Sequence, residues 1–157
     1  MGDLYEISIT LDLLDDLSAE EEAELRWHLG LGPRPAELRI VPAFPVVAVD
    51  DDGGISVEDE PRPLLGHHGA AHRVGGVLVS LLVPTEDAWS GRWALTVRQE
   101  IHPDDFDITG ELLAWLAGRA SDRYRHRDGT VRLGWIRPHE SDRPAALVVR
   151  DGKAVWR

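Results

Sequence analysis

Three of the chain's seven histidines, His67, His68 and His72, fall within six residues. Imidazole is a common ligand for transition metals near neutral pH, because it is largely uncharged there. His68 and His72, spaced i and i+4, share a face if their segment turns helical, and Glu58, Asp59 and Glu60 upstream offer oxygen ligands. This grouping suggests a small metal- or anion-dependent enzyme or sensor, with a divalent transition metal as its cofactor. Gly66 and Gly69 argue the other way, because they leave the segment without preorganisation. Metal ligands usually need partners that fix their orientation, and a solvated loop accounts for the same residues.

A second cluster places Arg119, Arg123, Arg125 and Arg127 around Tyr124. Guanidinium forks match phosphate and carboxylate geometry, and a tyrosine can stack on a base. The cluster therefore reads as an anion or nucleic-acid contact, as a dock for the acidic half of another copy, or as a solvated connection whose positive charge suits a helix C-terminus. A third group is the polar side of two alternating segments: Glu6, Ser8, Thr10 and Asp12 with Arg92, Thr96, Arg98 and Glu100. If the segments are neighbours, acids and guanidiniums can pair across a sheet. Such a surface either lines a pocket suited to acid–base work or is simply a wet face.

The familiar catalytic signatures are missing. The sequence holds no GxxxxGK[ST] phosphate loop, GxSxG elbow or HExxH helix. Gly75-Gly76 precedes an apolar strand rather than opening a helix, which excludes a dinucleotide loop. The run 50–54, Asp-Asp-Asp-Gly-Gly, resembles a calcium loop only superficially: counted from Asp50, position 5 is Gly54 and position 6 is Ile55. Hairpin-turn chemistry fits it better. With no cysteine, thiol catalysis, disulfides, Fe–S clusters and Cys-ligated zinc are all excluded.

The elements that must position these groups follow from periodicity. Residues 5–13 alternate strictly, with Tyr5, Ile7, Ile9, Leu11 and Leu13 on one side, which is a half-wet strand of an antiparallel sheet. Ser18 with Glu21 forms a capping box for a helix running to about Leu29, stopped by Gly30 and Pro33. Glu22 and Arg26 are spaced for an ion pair at its edge. Strands are expected at 45–49 and 55–57, then an irregular loop over about 58–73. The most apolar run, 74–83, is expected to be the most buried strand. A turn at Trp89-Ser90-Gly91 leads into a strand over 92–101. A second helix over about 107–119 carries the stripe Ile108, Leu112, Trp115, Leu116, Arg119. A strand over 130–137 follows, then a hairpin over 145–156 turned at Asp151-Gly152.

This order predicts a single α+β domain over 1–157. The expected form is a two-layer sandwich of ferredoxin-like style, with an antiparallel sheet and two helices on one face. The pattern also hints at a pseudo-repeat of two β-α-β-β halves, about 1–60 and 75–157. The 157 residues suit one core. No apolar run reaches membrane-spanning length, and the acidic start lacks a signal-peptide pattern, so a cytoplasmic protein is expected. The net charge of −11 is uneven: residues 1–60 carry 16 acidic and 3 basic side chains. An acidic chain makes nucleic acid an unfavourable partner. Of the seventeen basic residues only Lys153 is a lysine, a bias expected of a GC-rich coding sequence. Six tryptophans include several with no evident core role, and aromatic side chains are enriched at interfaces.

Taken together, these features lead to a non-enzymatic binding or interaction module, with a protein partner or self-association through its sheet or its tryptophans. The alternative is the enzyme or sensor using His67, His68 and His72. A weaker alternative is an acidic inhibitor or immunity-type protein that binds a basic partner through residues 1–60.

Overall fold

The computed structural model describes residues 3–86 and 92–156; the expected turn at Trp89-Ser90-Gly91 lies outside them. The first strand, β1 (Tyr5–Leu13), runs down the middle of a seven-stranded sheet. Its alternation does what period two requires: Ile7, Ile9, Leu11 and Leu13 are buried on one side. The helix α1 (Ala19–His28) starts at Ser18, whose hydroxyl accepts from the Glu21 N–H while the Glu21 carboxylate accepts from the Ser18 N–H. Glu22 and Arg26 form the expected pair at 3.3 Å.

The chain then forms β2 (Pro45–Val49) and β3 (Ile55–Asp59), which pair only with each other. A short β4 (Gly69–Ala70) lies within the stretch expected to be irregular. After it come β5 (Val77–Pro84), β6 (Trp93–Ile101), the helix α2 (Phe106–Arg119), β7 (Val131–Pro138), β8 (Ala145–Arg150) and β9 (Lys153–Val155). The sheet order is β4-β5-β6-β1-β7-β8-β9, and every neighbouring pair is antiparallel. The protein is thus mixed α+β, with one large antiparallel sheet, one small sheet and two helices among the described residues. None of these helices is long and apolar enough to cross a membrane.

Leu25 and Leu29 from the end of α1, and Leu112, Leu113 and Leu116 from α2, join the inward residues of β1, β6, β7 and β8 in one apolar cluster. Two glycines make the close approaches this packing needs. A Cβ on Gly134 would sit 1.8 Å from the Ser8 carbonyl oxygen, so β7 lies against β1 only without a side chain there. A Cβ on Gly30 would meet the Gly66 carbonyl oxygen at 2.6 Å, and φ there is +71°.

Two expectations need correcting. The 74–83 run is not the most buried strand. Leu78, Ser80 and Leu82 of β5 are buried, but Val77, Leu81 and Val83 are 63%, 50% and 51% exposed. Only the two-residue β4 flanks β5 on its edge side, and the helices cover the other face. The buried face of α2 is Thr109, Leu112, Leu113, Leu116 and Ala117, with Trp115 and Ile108 at its margins. Packing across β7, β8 and β9 turns the helix slightly from the predicted stripe.

Candidate interaction surface

A buried carboxylate sets where the small sheet stands. Glu24, on α1, is fully buried and accepts backbone N–H bonds from Arg39, Ile40 (2.8 Å) and Val41 (2.9 Å). His28, one turn on and equally buried, places Nε2 3.1 Å from the same carboxylate, while its Nδ1 has no hydrogen-bond partner. Burial holds the His28 pKa below its usual 6.5, against the pull of Glu24. These bonds fix the chain into Val41 and Phe44, both fully buried. The Phe44 N–H donates to Asp59 Oδ1 at 2.6 Å, and the Glu60 N–H to the Phe44 carbonyl at 3.0 Å, which closes the base of the β2–β3 hairpin.

From that base the hairpin projects. Its turn is the Asp-rich run: Asp50 Oδ1 accepts from the Asp52 and Gly54 N–H groups, and the Asp50 N–H donates to the Gly54 carbonyl. The register pairs Val47 with Val57 and Val49 with Ile55, so these four side chains share one face. That face is open: Val47 is 68% exposed, Val49 69%, Ile55 75% and Val57 69%. The other face carries Val46, Ala48, Ser56 and Glu58. A two-stranded hairpin alone in water is at best marginally stable, and a contiguous apolar patch on such an arm is the usual mark of an interaction surface. Beside its base, Val47 and Arg62 help line a cleft of about 790 Å³ that also contains Glu60, Asp104, Asp105 and Asp107. Arg62 pairs with Asp105 there at 2.6 Å.

The sequence pointed elsewhere for a site. His67 and His72 do approach each other, with ring centroids 5.4 Å apart. His68 turns away, its Nε2 2.7 Å from the Leu29 carbonyl oxygen. Among the described residues no three His, Asp or Glu side chains are grouped to hold a metal ion. Neighbouring β6 ties this loop down: Gln99 bonds both the N–H and the carbonyl of His67, and Glu100 accepts the N–H groups of His72, Arg73 and Val74. Burial works to raise the Glu100 pKa, but those three amides outweigh it and hold it low.

The arginine cluster is dispersed into local contacts. Arg119 pairs with Asp16 and Glu21 and lies over Trp115; Arg123 lies over Tyr124 and faces Asp12; Arg125 donates to the Ala117 carbonyl at the end of α2. Arg127 is exposed and has no ion-pair partner among the described residues. On the open sheet face, Glu6 does pair with Arg98, at 2.5 Å, as the alternation suggested. Arg137 completes the group from β7 at 2.7 Å. The Glu6 side chain is only 4% exposed, and both guanidiniums are also bound to backbone carbonyls, so this group ties strands together. Trp27 is buried, and Trp93, Trp115, Trp135 and Trp156 are half-buried, the last stacked on Phe106 at 4.3 Å.

Nothing in the residue types of Val47, Val49, Ile55 and Val57 marks a site, because valine and isoleucine carry no reactive or charged group. The available signal was register: pairing 45–49 with 55–59 across the Asp-rich turn puts all four on one face. No family model, curated protein or solved structure matches the chain.

Proposed function

We propose that the chain is a non-enzymatic protein-interaction module that self-associates through the apolar face of its β2–β3 hairpin. The observation that carries this reading is the four exposed β-branched side chains aligned on an arm whose base is fixed by buried groups. An arm held in place but left uncovered is suited to a protein surface rather than to a small ligand, which would need a concave, mostly enclosing site. The module acts in the cytoplasm, a setting its cysteine-free composition supports.

The core is also proposed to be ferredoxin-like in topology. In support, β1, α1, β5, β6, α2 and β7 follow a β-α-β-β-α-β order with β7-β1-β6-β5 as neighbours. The hairpin is then an insertion between α1 and β5.

Sedimentation velocity on untagged protein over a wide concentration range tests the functional reading. Wild type is expected to show a reversible species above monomer mass, and a Val47→Asp/Ile55→Asp variant with an unchanged circular dichroism spectrum is expected to be monomeric. A wild type that stays monomeric throughout overturns the proposal, as does a folded variant that associates like wild type.

A further inference from the structure

We infer that the receiver of the hairpin is the outward face of β5 in a second copy of the chain, engaged reciprocally about a two-fold axis. This rests on the self-association reading above and specifies its geometry. Among the described residues, the outward face of β5 holds the large exposed apolar side chains of the seven-stranded sheet: Val77, Leu81 and Val83 are at least half exposed, and Ala94 of β6 lies beside Val83 in register. The strip and the hairpin face are similar in make-up, each a short row of branched aliphatic side chains.

Charge distinguishes this receiver from a second hairpin. At its turn the hairpin carries exposed Asp51 and Asp52. Two hairpins packed face to face would set these acids against one another at a desolvated edge, an arrangement that opposes binding. The β5 strip is instead flanked by arginines. Arg73 is exposed just before the strand and has no ion-pair partner among the described residues; Arg98 sits opposite Val79 in register, paired with Glu6; Arg92 lies beyond the far end, held to Asp15 at 2.8 Å. Of the acids on the same face, Glu100 is turned to the amides of His72, Arg73 and Val74, and Glu6 is held between Arg98 and Arg137.

Area and closure point the same way. One hairpin face supplies four large side chains, whereas a stable interface uses about 20–30 residues a side. Reciprocal exchange uses the hairpin and the strip of each copy, so the same contact is made twice. A head-to-tail contact that did not close would extend into filaments, and two-fold closure satisfies every arm.

Because the chain has no cysteine, introduced thiols give a clean test. Val49→Cys, Leu81→Cys and Val83→Cys proteins are oxidised singly and in mixtures, with intact mass as the readout and sedimentation run alongside. Reciprocal exchange predicts a disulfide joining the Val49→Cys chain to the Leu81→Cys or Val83→Cys chain in the mixture, with little cross-linking of any protein alone. A folded Leu81→Asp/Val83→Asp variant is expected to raise the dissociation constant by about tenfold or more. If Val49→Cys cross-links mainly to itself, the hairpins face each other, so this inference falls while self-association stands. If wild type dimerises but neither mixture cross-links and Leu81→Asp/Val83→Asp dimerises normally, the inference again falls alone. A monomeric wild type removes both.

Discussion

At the scale of single residues, the Glu24–His28 pair shows how a buried polar group shapes a surface far from itself. Glu24 carries no sign of burial in the sequence, where it follows three other acids in a helix that looks solvated. Only the three N–H groups of 39–41 show why it is inside: they supply the charge-assisted bonds without which a buried carboxylate is unfavourable. His28 titrates with a definite sign. Its folded pKa lies below the ordinary 6.5 because burial disfavours the charged ring. Below that pH the unfolded chain binds the proton more readily, so stability is full above about pH 6.5 and falls as the pH drops toward the folded value. Urea unfolding at about pH 7.5 and about pH 5.5 should show wild type losing stability on acidification. His28→Gln, whose amide can still donate to Glu24, should lose less over the same interval. Equal losses in the two proteins would assign the effect to other groups. A Glu24→Gln change is expected to cost about 2–4 kcal/mol at neutral pH. It should also raise proteolysis in the chain around 39–41, where the amides lose their acceptor.

At the scale of elements, the sequence was legible wherever a local rule acted alone. The alternation of β1 gave its bounds to the residue, the capping box gave the start of α1, and Asp151-Gly152 gave the last hairpin, with φ positive at both positions. What stayed hidden depended on neighbours. The 74–83 run is apolar on both sides and so resembled a strand covered on both faces. In the fold it lies near a sheet edge with one face open, a fact of strand order that periodicity does not contain. The His67, His68 and His72 loop likewise takes its shape from Gln99 and Glu100, about thirty residues away in sequence. Glycine substitutions separate the two kinds of constraint. Gly134→Ala forces a side chain into the Ser8 backbone and should destabilise by about 3 kcal/mol or more, or prevent folding. Gly118→Ala, in the last turn of α2 with open space around it, should stabilise by about 0.5–1 kcal/mol. Thermal unfolding of the two variants beside wild type checks both signs. A tolerated Gly134→Ala would mean that β7 can shift away from β1.

For the molecule as a whole, an exposed apolar arm and a net charge of −11 act in opposite directions. Like charge keeps copies apart and opposes indiscriminate association, whereas the four hairpin side chains favour any contact that covers them. Association then survives only where apolar burial coincides with locally complementary charge, and an arrangement in which each copy covers the other's arm leaves nothing to recruit a third. Growth should therefore stop at two chains rather than run on into fibres. Under the proposed self-association, folding is coupled to this step, because a partner that binds only the folded chain stabilises it by mass action. The melting temperature of wild type should rise with protein concentration. That of Val47→Asp/Ile55→Asp should not, since its arm is outside the core and its loss leaves the monomer's own stability nearly intact. At low concentration the two melting curves should converge; at high concentration they should separate, with wild type the more stable. A concentration-independent wild-type transition would show that the folded chain gains nothing from a second copy.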